Sequence, residues 1–253
     1  MKQVMTRRNK ITWTLGNIFM LAGLYLLLYV GGVYAEQKYN QAAARGDSAL
    51  PLEAEITQPT PTPVVMQPFV APELGANVAV AAPVHVRLDY STITRIRIPN
   101  IDVDSKVIEV GWVEENGVPV WQVAKYAVGH HKGSGNPGDN TNIVMAGHVG
   151  GSAPVFNRLI ELQAGDQIEL YSNGQQYLYV VQDSQRVQEV GVSDDQRLQN
   201  ASYMNPTDDE LITLITCWPP AGPNAYDQRI VVRAVPFSSS VASDTTQSNW
   251  EIR

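Results

Sequence analysis

Cysteine is nearly absent: Cys217 is the only one in 253 residues. With no second thiol the chain cannot close an internal disulfide, and one cysteine with four scattered histidines does not make a zinc set. Acid is missing from the first 35 residues, whose only charges are Lys2, Arg7, Arg8 and Lys10. Without those four, 14 basic residues face 25 acidic ones, a net of −11, which argues against a phosphate-backbone binder. There is one long uncharged apolar run and no second, and no internal repeat. Long helical periodicity is scarce outside that run. The acidic clusters "SDDQ" and "TDDE" read as solvated turns or a helix N-terminus in preference to a Ca²⁺ loop. No metal or cofactor is expected.

The one long run follows the basic start. From Ile11 to Ala35 no residue is charged, and roughly 20 apolar residues suffice to cross a bilayer core. Trp13 and Tyr34 sit where interfacial aromatics belong. The reading is a retained signal-anchor: 1–10 a basic cytoplasmic tail, 11–35 a transmembrane helix, and everything beyond Glu36 outside the cell. The competing reading, a cleaved signal peptide ending at "VYA", has only a weak cleavage site.

From 36 to 85 the composition shifts. Seven of the 16 prolines fall between Pro51 and Pro83. Such a stretch offers too little apolar surface to offset its chain entropy. It reads as a semi-stiff extracytoplasmic linker, able to hold a domain on the order of 100 Å off the membrane. From 86 to 236 the pattern is one of strands. "ITRIRIPNIDVDSKVIEV" alternates with period 2 and breaks at Pro99 and Asn100. "TNIVMAGHV" runs into Gly147, "VFNRLIELQ" reads as a short helix, and "GDQIELYSNGQQYLYVVQD" is a hairpin turning at Asn173-Gly174. "ELITLITC" and "QRIVVRAV" are two further strands joined by "WPPAGPNAYD". Many short strands with little helix predict a compact all-β barrel or sandwich. Residues 237–253 read as a disordered C-terminal tail.

A lone cysteine is ordinarily a small buried hydrophobe. Cys217, however, ends a strand just before a Pro/Gly-rich loop, and an exported free thiol is exposed to oxidation, so keeping one points to its use. A thiol nucleophile needs a proton-transfer partner and a group that holds negative charge on the attacked carbonyl. Of the histidines, His85 lies at the linker boundary, and His130 and His131 read as part of a polar Gly-rich loop. His148 directly follows the strand "NIVMAG", the same strand-end setting as Cys217, and is the best partner. Arg229, Val231 and Arg233 share a strand face. If that strand returns antiparallel from Cys217, Arg229 lies near the sulfur and Arg233 about 13 Å further on, where an ion pair is its expected role.

These residues carry a resemblance. "TLITC" at 213–217 resembles the cysteine signature of sortases, "AGHVG" around His148 their histidine segment, and "QRIVVRA" the strand bearing their arginine. "RIRIPNIDVDSKV", "GHHKGSGNPGDNTNIVMAGH" and "VFNRLIELQAGDQIEL" agree in the family's order, so the resemblance covers about Thr92 to Pro236. It implies a closed eight-stranded β-barrel with one or two short helices, preceded here by the transmembrane helix and linker. It also implies Cys217 as nucleophile, His148 as general acid/base and Arg229 as stabiliser of substrate and oxyanion, with Thr216 in support. "WPPAGP" after the cysteine is more apolar and rigid than common members carry, and no second apolar run resembles the C-terminal helix of many pilin-polymerising members.

The expected activity is that of a membrane-anchored cysteine transpeptidase. It cleaves a C-terminal sorting signal, Leu-Pro-x-Thr-Gly-like by resemblance, and passes the acyl group to an amine of the cell wall. Its expected partners are surface-protein substrates, a peptidoglycan amine or pilin lysine, and the membrane. Two alternatives keep the site: a pilin polymerase, or a peptidase releasing its acyl group to water. A third, of another class, is an exported β-domain that binds wall polymers without chemistry.

Overall fold

The computed structural model describes residues 7–52, 56–57, 90–115, 118–151 and 153–237. Eight strands close a barrel: β1 (Ile93–Ile98), β2 (Val103–Val110), β3 (Val128–His131), β4 (Asn142–Ala146), β5 (Gln167–Ser172), β6 (Gln175–Gln188), β7 (Leu211–Trp218) and β8 (Gln228–Pro236). Around the barrel the order is β6-β8-β7-β4-β3-β2-β1-β5. Pairing is antiparallel except for β4 with β7 and β2 with β3, which are parallel. Closure leaves no barrel edge unpaired.

Period-2 alternation builds the interior. Ile96 and Ile98 of β1, Ile212 and Leu214 of β7, and Ile230, Val232 and Ala234 of β8 point inward and are almost wholly buried. Ile143, Met145, Ile168 and Leu170 meet them in one continuous core. Each such side chain contributes roughly 1.5–3 kcal/mol by leaving water. The break between β1 and β2 is a single 3₁₀ turn, Pro99–Ile101, and Asn173-Gly174 turns β5 into β6 with φ of 51° and 76°, the paired positive values of a tight hairpin.

Two helices accompany the barrel. α1 (Arg7–Ala43) is long and apolar enough to cross a membrane, and none of its apolar stretch is covered by the protein. α2 (Asp194–Ala201) lies between β6 and β7. Its N-cap Ser193 accepts from the Gln196 N–H, and Asp194 and Asp195 sit in the first turn, where the helix dipole favours acid. That is what "SDDQ" does. In the other cluster, Glu210 accepts from Tyr179 Oη (2.7 Å) and the Gly138 N–H (2.7 Å).

Three features differ from the sequence expectation. The helix does not end at Ala35 but runs to Ala43, and the residues after it are not a free linker. Ala43 and Ala44 are buried, and residues 44–52 lie on β2. The expected linker residues 58–85, including His85, and the expected tail from 238 lie outside the described residues. "VFNRLIELQ" forms only a 3₁₀ turn, Leu159–Glu161. Its N–H groups at Val155 and Phe156 bond back to the His148 carbonyl (3.0 and 2.9 Å), and Leu162 is already extended on the way to the turn at Gly165. His130 and His131 are not in a loop: they end β3, at 2% and 4% exposure, because β2 and β4 pair on both sides of that strand.

Candidate active site

β7 lies between β4 and β8. Ile212, Leu214 and Thr216 face the interior, so Thr213, Ile215 and Cys217 share the outer face. Cys217 is half-buried and is the free thiol. Across the antiparallel register it is directly opposite Arg229. Directly opposite residues project to the same face, with Cβ atoms about 5 Å apart. On the other side Ile215 is level with Ala146 of β4. His148 follows two residues after the last pair, where the Gly147 N–H still donates to Ile215 O. The chain segments that carry His148, Cys217 and Arg229 are therefore neighbours in a row of three, with β7 and its thiol in the middle.

The row is held from below. The Gly147 N–H donates to Ile215 O (3.2 Å), and Thr216 Oγ1 donates to Gly147 O (2.7 Å), so β7 grips the residue before His148 at both polar groups. A Cβ at Gly147 would come within 2.8 Å of the Phe156 ring, which is why glycine stands there. Thr216 thus lies on the face opposite the thiol and acts on the histidine segment. His148 is half-buried, and burial pushes its imidazole below the ordinary histidine value.

Loops after Cys217 and His148 lock together above the row. Gly150, at φ 67°, lies so close to the 219–227 loop that a Cβ there would be 2.9 Å from Pro220 O and 3.4 Å from Tyr226 Oη. Tyr226 closes its own loop through its N–H to Pro219 O (3.0 Å), and its carbonyl accepts from Arg229 Nη1 (2.8 Å). One loop therefore touches the histidine segment and holds the arginine. Arg233, on the same strand face, is committed elsewhere: it forms a two-pronged ion pair with Asp183 (Nη2–Oδ2 2.8 Å) beside the Tyr203 ring.

Beyond Arg233 the outer face is roofed by residues of the β6–β7 connection. Thr213 and Val231, although on the outer face, are 0% and 2% exposed. Asn142 pins this roof, donating to Tyr203 O and Asn205 O (both 2.9 Å) while accepting from Thr213 Oγ1 (2.8 Å). Beneath it lies a cavity of about 580 Å³ lined by Asn142, Arg186, Gln188, Tyr203, Leu211 and Arg233 among others. Leu211 lies six residues from Cys217 along β7, about 20 Å at strand rise. Sequence reasoning missed this cavity. Its walls come from the start of β7, the end of β6 and α2, and no local pattern joins them.

The other histidines are walled off from this row. His130 Nε2 faces Gly135 O (2.9 Å) and Ser134 Oγ (2.9 Å), which places its proton on Nε2 and leaves Nδ1 without a partner. His131 stacks on Trp121 (centroids 4.2 Å apart), and neither of its ring nitrogens has a partner among the described residues. Burial drives their pKa values down to about 4 and about 3. Among the described residues no group of His, Cys, Asp and Glu could hold a metal ion.

The barrel is closed and eight-stranded, with a free thiol opposite Arg229 at the end of β7. The sortase domain family matches residues 96–237, more than half of the chain. The chain belongs to the sortase family, whose members are cysteine transpeptidases. Among solved structures it is similar to sortase C-1 from Actinomyces oris, at 27% identity and TM-score 0.44, over 59% of this chain and 76% of that one. It is similar also to a lid mutant of sortase A from Corynebacterium diphtheriae (26% identity, TM-score 0.44, over 61% and 75%). A sortase D5 transpeptidase of Clostridium perfringens matches at 21% identity and TM-score 0.42, over 58% and 80%. None of the curated proteins compared matches the chain.

Proposed function

We propose that this chain is a membrane-anchored sortase that cuts a C-terminal sorting signal, Leu-Pro-x-Thr-Gly-like, from surface proteins and joins the remaining chain to an amine of the cell wall. The observation that carries the reading is the direct cross-strand pairing of Cys217 with Arg229, with the strand that runs toward His148 paired on the other side of β7. α1 is the anchor, with the barrel outside the cell.

The thiolate of Cys217 attacks the scissile carbonyl carbon, and Arg229 holds the oxygen as negative charge collects on it. The C–N bond breaks as His148 gives its proton to the leaving amine, and a thioester to Sγ remains. The acceptor amine then attacks that thioester and loses a proton to His148. The C–S bond breaks, and thiolate and imidazolium are restored. Amines attack thioesters well and water attacks them slowly, so transfer is favoured over hydrolysis. Thr216 positions the histidine segment through Gly147 and touches no reacting atom.

Product analysis tests the acceptor. With a Leu-Pro-x-Thr-Gly peptide, adding a glycine-ended or lysine-bearing peptide should convert the product from free acid to amide. A product that stays the free acid at saturating amine would make the chain a hydrolase.

A further inference from the structure

The residues that follow α1 lie against the barrel itself. Ala43 and Ala44 are buried at 0% and 4% exposure. Ala44 O accepts from the Lys106 N–H (2.9 Å), Arg45 bridges Ser105, and the Gly46 N–H donates to Asp104 O (3.2 Å). The approach at Gly46 is so close that a Cβ there would lie on Asp104 Oδ1 and 2.5 Å from Arg95 Nε. The chain then turns back along β2. Lys106 Nζ donates to Leu50 O (2.6 Å), and Leu52 packs on Val110, Ala124 and Ala127. Ile56 and Thr57 pair with Ala124 and Val123. Tyr39 Oη of α1 donates to Pro51 O (3.3 Å), tying the returning chain to the helix.

On either side of residues 58–89 the chain is attached to the barrel domain: at Thr57, paired with Val123, and at Tyr90, whose carbonyl accepts from Asn136 Nδ2 (3.2 Å). A segment attached at both ends to one body cannot set that body's distance from a membrane. The distance is set by Glu36 to Ala43, the helical residues between the uncharged run and the docked Ala44. At 1.5 Å per residue that is about 12 Å, against the order of 100 Å of a free linker. Tyr34, Lys38, Tyr39 and Leu50 are exposed along this neck, the residue types that favour a lipid headgroup layer.

We propose that residues 44–52, with Ile56 and Thr57, dock the barrel onto its own membrane helix, so that the domain works seated at the lipid surface and acts on bonds presented close to it. This rests on the reading of α1 as a membrane anchor. The same docking brings the end of α1 to the segment behind His148: Gln41, Ala44 and Arg45 share a cavity of about 230 Å³ with Ala153 and Val155.

The test uses the full chain in phosphatidylcholine–phosphatidylglycerol vesicles carrying a headgroup energy-transfer acceptor. The donor sits on Gln176→Cys in a Cys217→Ala background. Inserting about 12 Gly/Ser residues, an r.m.s. reach of about 20 Å, after Ala35 should cause a loss of transfer. The same insertion within 58–89 should leave transfer unchanged. Equal losses from both insertions, or a loss only from the second, would overturn the docking. A chain that does not float with the vesicles would instead sink the anchor reading, and this inference with it.

Discussion

Two neighbouring strands of the barrel run into histidine, and the two ends have opposite chemistry. At the end of β3, His130 and His131 are buried, three of their four ring nitrogens have no hydrogen-bond partner among the described residues, and their pKa values fall to about 4 and about 3. Just past the end of β4, beside the strand that ends in the thiol, His148 is half-buried and its pKa is lowered by burial alone. A histidine sealed off from protons and substrate can only pack. One at a half-open rim beside a nucleophile can move protons. Burial at the strand end separates the two cases.

The largest expected difference comes from substituting each end. His148→Ala should lower kcat/KM at least ~10²-fold, the scale of a general acid/base, with little change in Tm. His131→Ala should do the reverse, lowering Tm by removing the ring stacked on Trp121 while the remaining folded enzyme turns over normally. A normal turnover for His148→Ala at saturating peptide would erase the contrast.

The two arginines of β8 sharpen it further. Arg229→Ala should cost about 10²-fold in kcat/KM, as the loss of one oxyanion donor does. Arg233→Ala breaks a partly exposed pair with Asp183 and should cost within about 1 kcal/mol of stability and little activity. A larger kinetic loss at Arg233 would reverse the assignment.

Acid gives a third handle. The folded pKa of His130 lies below its unfolded value near 6.5, so below that pH the unfolded chain binds more protons. Stability is then fully present above 6.5 and is lost as the pH falls toward 4. His130 alone accounts for about 3 kcal/mol, burial outweighing the hydrogen bond to Gly135 O and the charges of Glu109 and Asp139. His131→Phe keeps the aromatic stack and removes one proton site. Denaturant titrations at pH 7 and pH 4.5 should therefore show a smaller acid loss for that variant. An equal loss would place the acid sensitivity elsewhere. The smallest effect is on the rate profile: the alkaline limb of kcat/KM, where the His148 imidazolium loses its proton, should fall at lower pH than for an ordinary histidine, because burial disfavours the charged ring.

Most of the barrel was legible because its strands alternate with period 2 and are punctuated by Pro99, Asn173-Gly174 and the Pro-rich loop after Trp218. The expectation for Cys217, His148 and Arg229 came from strand-end position and from the order of their segments, and the register has Cys217 opposite Arg229. The histidines of β3 were misread because "GHHKGSG" looks like a loop. What buries them is pairing on both sides and Trp121, which the sequence does not place beside them. The docked residues 44–52, with Ile56 and Thr57, were misread because they carry no strand period and adjoin the Pro-rich segment. Their attachment is mostly main-chain hydrogen bonding, which side-chain patterns do not report.

The most direct measurement is intact-mass analysis of the enzyme during turnover of a Leu-Pro-x-Thr-Gly peptide, with hydroxylamine as trap. The account predicts an adduct of the N-terminal acyl fragment on Cys217, released as a hydroxamate, and neither species from Cys217→Ala. An adduct that persists in Cys217→Ala, or a peptide panel that yields neither adduct nor hydroxamate from the wild-type chain, would contradict it.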